Sequence, residues 1–203
     1  MTRQNKWDDR YGEPGFAYGT EPNDFLAASL QHLPPTGTVL CLADGEGRNS
    51  VFLAQQGYTV TAVDSSSVGL EKAMTLATER GVTITTCMAD LTDYQLPENT
   101  YDAIISIFCH LPPPVRRRLH GHIPSSLKKD GVFLLEGYTP RQLYHGTGGP
   151  PVKELLMEIV DLKKELQQLK IIHGTEVERE IYEGRLHTGL GAVVQLIAVK
   201  KES

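Results

Sequence analysis

Gly45, Gly47 and Asp64 stand at a spacing that can hold a nucleoside. They lie within Thr38 to Asp64, which reads T-V-L-C-L-A-D-G-E-G-R-N-S-V-F-L-A-Q-Q-G-Y-T-V-T-A-V-D. The apolar run Val39 to Leu42 ends in a glycine-bearing turn, Ala43 to Gly47. Glycine has no Cβ, so the backbone there can approach a ligand closely. A helix that opens directly after the turn points its free amides at the same place. Asp64 ends the next apolar run; ionised, it only accepts hydrogen bonds and can take two from a ribose diol.

These groups need a strand, a tight loop, a helix and a second strand to hold them. Val39–Leu42 reads as the first strand, and Val51, Phe52, Leu53 and Ala54 as the apolar face of the helix, stopped by Gly57. Tyr58–Val63 is the second strand. Ser65-Ser66-Ser67 offers N-caps for a helix to about Arg80, Gly81 stops it, and Val82–Met88 alternates as a strand. Leu91–Thr100 is a polar loop, and Tyr101–Phe108 is a continuous apolar strand whose Asp102 is read as structural. Pro112-Pro113-Pro114 opens a helix, Lys128–Gly131 reads as a turn, and Val132–Tyr138 as a strand. Val152–Leu156 and Ile159–Leu169 read as helical, and Lys170–His173 and Val177–Tyr182 as extended. Gly189-Leu190-Gly191 reads as a turn before a last strand, Ala192–Lys200. Upstream, Trp7–Tyr11 reads as a helical turn, and Asn23 caps a helix from Asp24 to His32. The alternation predicts an α/β, Rossmann-like doubly wound sheet, mostly parallel, with an antiparallel strand in a closing hairpin at one edge. Residues 1–203 are read as one domain, with 1–36 as a helical cap and the Gly/Pro/Thr-rich 140–151 as a lid.

A chain of 203 residues suits one domain with a sizeable core. Lys and Arg number 20 against 25 Asp and Glu, a formal charge of −5, which disfavours a nucleic-acid partner. No apolar run suits a membrane span, and no basic, then apolar, leader is evident. The three cysteines lie far apart without metal-ligand spacing and read as free thiols, so no metal site is expected and a cytoplasmic location is. Oligomeric state is not read from one sequence.

The layout resembles the class I S-adenosylmethionine (SAM)-dependent methyltransferases over nearly the whole chain. Gly45 and Gly47 match the last two glycines of that family's acid-x-Gly-x-Gly-x-Gly loop, while Cys41 replaces the acid and Ala43 the first glycine. The fuller form L-C-L-A-D-G-E-G-R-N, together with W-x-x-R-Y, Y-G-T-E-P-N-x-F-L and H-T-G-x-G-A-V-V-Q, is similar to a subgroup related to the tellurite-resistance methyltransferases. The resemblance implies SAM as cofactor and a small-molecule acceptor, or a metalloid oxyanion such as tellurite. It implies a cofactor site drawn from Trp7, Arg10, Tyr18, Ala43, Gly45, Gly47, Asn49, Asp64, Ser65, Asp90, Leu91 and Ile107. Asp90 would accept from the adenine amine with the Leu91 amide beside it, and Trp7 would offer a ring face to the sulfonium. His110, following the fourth strand, is the candidate base or orienting group. Arg185 and His187, ahead of the terminal turn, are candidates to hold an anionic acceptor.

Two rivals stand beside this reading. Gly45 to Ser50 approaches the dinucleotide pattern G-x-G-x-x-G, but Ser50 replaces the third glycine and the chain has no room for a second catalytic domain. A SAM-binding protein without transfer activity would keep the same loop.

Overall fold

Seven strands form one sheet in the order β3-β2-β1-β4-β5-β7-β6. The structure is a computed structural model and describes residues 5–201. The strands are β1 (Thr38–Leu42), β2 (Thr59–Asp64), β3 (Thr85–Met88), β4 (Tyr101–Ile107), β5 (Leu127–Tyr138), β6 (Leu169–Glu183) and β7 (His187–Lys200). Strands β1 to β5 run parallel, and β7 is antiparallel to both β5 and β6. The helices are α1 (Lys6–Tyr11), α2 (Asp24–Ala28), α3 (Arg48–Gln55), α4 (Ser67–Glu79), α5 (Pro113–Ser126) and α6 (Ile159–Glu165). This is the expected mostly parallel, doubly wound sheet with one antiparallel strand.

The period-two alternation of a strand sorts the core into two layers. Leu40 and Leu42 pack with Leu119 and Ile123 of α5 and Leu162 of α6. Val39 and Cys41, between them in sequence, face the other way onto Leu53 of α3 and Phe25 and Leu26 of α2. Both faces are covered, so the central strands read as unbroken apolar runs. The strand order reverses between β1 and β4, and the crevice outside their C-terminal ends is where this fold class places ligands.

Asp102 is structural, as expected. Its Oδ2 accepts from the Thr38 amide (2.7 Å), the Thr38 hydroxyl (2.9 Å) and Lys128 Nζ (2.8 Å). Three sequence assignments are corrected. Lys128–Gly131 is a bulge inside β5: Asp130 takes φ +60°, and the β4–β5 register shifts nearby. The last hairpin turns at Gly184, Arg185 and Leu186, while Gly189–Gly191 lies inside β7. The glycines there serve close packing, since a Cβ on Gly189 would lie 2.8 Å from Thr147 Cγ2 and one on Gly191 2.5 Å from Ile181 Cδ1. The two extended stretches before the turn are one strand, β6, with a register shift between Ile171 and His173.

Candidate active site

The loop between β1 and α3 is built by left-handed backbone. Ala43 takes φ +49°, Gly45 +60° and Gly47 +89°. Ala43 stands in a conformation that costs a Cβ-bearing residue about 1–2 kcal/mol, the physical reason for glycine at that position in related loops. Gly45 is forced by crowding as well, because an added Cβ would sit 2.6 Å from the Tyr11 hydroxyl. At Gly47 an added Cβ would meet Ala73 Cβ at 2.5 Å, so this glycine serves the contact between α3 and α4.

Asp64 closes β2 beneath this loop. Its Oδ2 accepts from the Gly45 amide (2.9 Å) and its Oδ1 from the Ser66 amide (2.9 Å). Burial raises its pKa while those amides pull it back down. The carboxylate is thus placed by the loop it was expected to serve. Ser65 contributes its carbonyl, which accepts from Asn5 Nδ2 at 2.6 Å. Asp44, also in the loop, is pushed up to about 6 by burial, against the hydrogen bond from Ser50 Oγ (2.5 Å). Asp90 lies exposed after β3 with Oδ1 held by the Thr92 amide and hydroxyl, which lower its pKa. Leu91 and Ile107 are buried.

A strap ahead of α2 roofs the loop. Glu46 Oε2 accepts from the Ala17 amide (2.7 Å), Lys72 Nζ binds Glu46 Oε1 (2.9 Å), and Asn49 Oδ1 accepts from the Asn23 amide (3.0 Å). Asn49 therefore ties strap to loop. Tyr11 is buried against Gly45 and Gly69, and Trp7 stacks on it with ring centroids 5.8 Å apart. The Trp7 ring already meets the Arg10 guanidinium at 4.9 Å and Lys6 at 5.1 Å. Arg10 in turn donates to the Tyr18 hydroxyl (2.7 Å).

Beyond the loop, at the C-terminal ends of β4 and β5, lies an aromatic cluster. Phe108 takes φ +51°, a strained conformation for a bulky residue. Its ring stacks on Tyr138 at 4.6 Å and meets His187 edge-on at 4.7 Å. His187 also lies 4.5 Å from Tyr18 and 5.3 Å from Tyr138. Burial holds the His187 ring below the ordinary imidazole range, so it is neutral near pH 7.

Behind this cluster runs a buried ionic chain. Arg48 Nη2 donates to Glu183 Oε2 (2.6 Å), Arg179 Nη2 to Glu183 Oε1 (3.2 Å), and Arg179 Nε and Nη2 to Glu136 (2.9 and 2.8 Å). Asn23 Nδ2 joins both acids (2.5 Å to Glu136, 2.8 Å to Glu183), and Gln195 Nε2 completes Glu136 at 2.8 Å. Burial would raise Glu183, but its neighbours His187, Arg48 and Arg179 outweigh it and hold it at about 2.

Two expected acceptor residues are placed differently. His110 has both ring nitrogens engaged by the main chain: Nδ1 donates to the Leu155 carbonyl (2.9 Å) and Nε2 accepts from the Tyr138 amide (3.3 Å). Burial lowers its pKa to about 4, so in this arrangement it braces the ends of β4 and β5 as a neutral ring instead of offering a base. Arg185 is 43% exposed in the hairpin turn and pairs with Glu13 of the strap. His187 stands within the aromatic cluster, and His110 stacks at its edge on Tyr138 (5.8 Å) and Phe108 (6.4 Å). Glu183, Glu136 and Tyr138 were missed by sequence reasoning. Glu183 alternates among other polar residues of an extended run, and nothing local distinguishes it from Glu176 or Glu180. Among the described residues no grouping of His, Cys, Asp or Glu suits a metal ion, and no helix is long and apolar enough to cross a membrane.

Residues 39–131, from β1 into β5, match the family described as Methyltransferase domain. The likeness to that family therefore lies in the β1–β5 part of the sheet. No curated protein matches it significantly. Among solved structures it is similar to one described for the conversion of a disulfide bond into a thioacetal group during echinomycin biosynthesis. That match has a TM-score of 0.76 and 16% identity, over 96% of this chain and 91% of the other. It is similar to TehB from Haemophilus influenzae, with a TM-score of 0.70 and 20% identity over 96% of this chain and 66% of TehB. A SAM-dependent methyltransferase from Methanosarcina mazei gives 0.69 and 18% identity over 90% and 100% of the two chains. SAM is the cofactor named for the last of these structures. The residues present fit that cofactor: the loop is too tight for a Cβ at Gly45, and a carboxylate stands at the end of β2 beneath it.

Proposed function

We propose that this methyltransferase transfers the SAM methyl group to a small-molecule acceptor, of which a metalloid oxyanion such as tellurite is one instance. The observation that carries the reading is the aromatic cluster beside the loop after β1, with Tyr138 and His187 buried, Tyr18 and Phe108 half-buried, and the strap tied to that loop. An aromatic cluster with a strap across it suits a small guest better than a polymer. The resemblance of L-C-L-A-D-G-E-G-R-N and H-T-G-x-G-A-V-V-Q to the tellurite-resistance subgroup makes a metalloid acceptor a candidate to be tried.

SAM supplies an activated methyl on a sulfonium, so the protein's own residues have to align the reactants and exclude water. In this reading Gly45, the loop amides and Asp64 hold the cofactor, with Asp90 and Leu91 at the adenine end. The strap, with Tyr11 and Tyr18, and the 140–151 segment, whose Gly148 and Gly149 pack on Tyr138, flank the cluster. Gln142 fastens that segment: its Nε2 donates to Thr147 Oγ1 (3.0 Å) and its Oε1 accepts from the Ala192 amide (2.8 Å). His187, neutral and with Nδ1 unpartnered, is the group placed to take a proton from an acceptor that has one to lose. An acceptor that is already anionic needs none.

The test is titration calorimetry with SAM and, separately, NAD, followed by an acceptor screen with labelled SAM that includes tellurite, thiols, phenols and carboxylates. Micromolar SAM binding without NAD binding, and methylation of at least one small acceptor, is expected. SAM binding with no transfer to any acceptor would favour a non-catalytic SAM-binding protein. NAD binding in place of SAM would sink the proposal.

A further inference from the structure

The polar atoms left over once the ionic chain is satisfied lie together. Among the described residues, Arg48 Nη1, Tyr138 Oη and His187 Nδ1 are buried without a hydrogen-bond partner. Arg48 and His187 converge on one oxygen, Glu183 Oε2, at 2.6 Å from Nη2 and 3.9 Å from Nδ1, the latter outside hydrogen-bond distance. Tyr138 Oη and His187 Cδ2 crowd the same face of Gly148, where an added Cβ would lie 3.2 and 2.9 Å from them. Buried polar groups are seldom left unpaired, and three on side chains joined by contact, Arg48 and His187 at Glu183 and Tyr138 against the His187 ring, beside the strained Phe108, mark a place where a guest completes the bonding.

The guest's chemistry follows from the donors. Arg48 is always charged, has no acceptor, and keeps one edge of its guanidinium free while the other is taken by Glu183. The Tyr138 hydroxyl is kept protonated by burial. Glu183 opposes a nearby negative charge, but Arg179 binds it from the far side, and Arg10 lies at Tyr18 on the roof. Resting on the methyltransferase reading above, we propose that Arg48 is a specificity-determining residue of the acceptor site: its Nη1 and the Tyr138 hydroxyl jointly bind an anionic oxygen of the acceptor, as a carboxylate or a metalloid oxoacid presents. Arg185, exposed and paired with Glu13, is left out of that role.

The test uses full-length protein loaded with S-adenosylhomocysteine, so that no turnover occurs, titrated with potassium tellurite, with sodium benzoate and with neutral benzamide. At least one of the two anions binds, benzamide does not, and whichever anion binds identifies the source of the oxygen. Tyr138→Phe, which removes one hydroxyl and keeps the ring, weakens the anion about tenfold, and Arg48→Met about a hundredfold. Affinity for S-adenosylhomocysteine stays within about twofold of wild type in both. Should Arg48→Met fail to fold, Tyr138→Phe alone decides. No anion binding to the loaded wild type, benzamide binding as well as benzoate, or unchanged anion affinity in Tyr138→Phe would each overturn the proposal and leave the cofactor reading intact. Failure of the wild type to bind S-adenosylhomocysteine would remove the cofactor reading and this proposal with it.

Discussion

Gly45 finds its carboxylate 19 residues along the chain, at Asp64, whereas Arg48 finds its own 135 residues along, at Glu183. The proposed cofactor side is a local object: one β-α-β unit, with left-handed backbone at Ala43, Gly45 and Gly47 and an acid at the end of the second strand. The proposed acceptor side is assembled from the strap, the start of α3, the end of β5 and the β6–β7 hairpin, held by a buried chain of charges. The first side uses main-chain geometry that tolerates few residue types. The second uses side chains that can be exchanged while the sheet persists, which is how one fold serves many acceptors.

This contrast can be broken most forcefully at Glu136. Glu136→Ala leaves Arg179, Asn23 and Gln195 without their common acceptor in a fully buried place. It should destabilise the protein by about 3–5 kcal/mol in urea denaturation. A loss below about 1 kcal/mol would show that the acceptor side is not held by its charges. On the cofactor side, Asp64→Ala should weaken SAM binding by about 2–3 kcal/mol with the circular dichroism spectrum unchanged. Equal affinity by calorimetry would take Asp64 out of the cofactor site.

The brace between the two sides is sharpened by pH. The folded pKa of His110, about 4, lies below the unfolded value near 6.5. Its contribution is therefore complete above about pH 6.5 and is lost as pH falls towards about 4. Asp44 runs the other way: its pKa is raised to about 6, so its burial is least costly in acid and weighs fully only above that value. Comparing wild type with His110→Gln separates the two. The wild type should lose on the order of 2 kcal/mol more than the variant between about pH 7 and 5. Parallel curves would mean that His110 titrates normally.

The smallest effect is expected at Arg185. Its pair with Glu13 is half exposed, so Arg185→Ala should change stability by less than about 0.5 kcal/mol and leave the acceptor KM unaltered. A KM raised severalfold would return Arg185 to the acceptor site and narrow the difference between the two sides.

Much of this architecture was legible in the residues. The apolar runs at Val39–Leu42 and Tyr101–Phe108, the caps at Asn23 and Ser66, and the Gly45-x-Gly47 loop led to the parallel sheet and to the cofactor loop. The closing hairpin was misread because Gly189 and Gly191 look like a turn. They are small so that Thr147 and Ile181 can cross β7, a demand made by neighbours distant in sequence. His110 reads as a base or orienting group from its place after β4, and only the approach of the Leu155 carbonyl and the Tyr138 amide makes it a brace.

By itself, then, the sequence determined the sheet, the loop and the acid beneath it, because strand periodicity, left-handed glycines and helix caps act over a few neighbouring residues. The tertiary structure alone decided which charged and aromatic side chains meet at the acceptor end. Arg48, Tyr138, Glu183 and His187 become neighbours only after β7 inserts between β5 and β6, and burial then sets which of their polar atoms stay free.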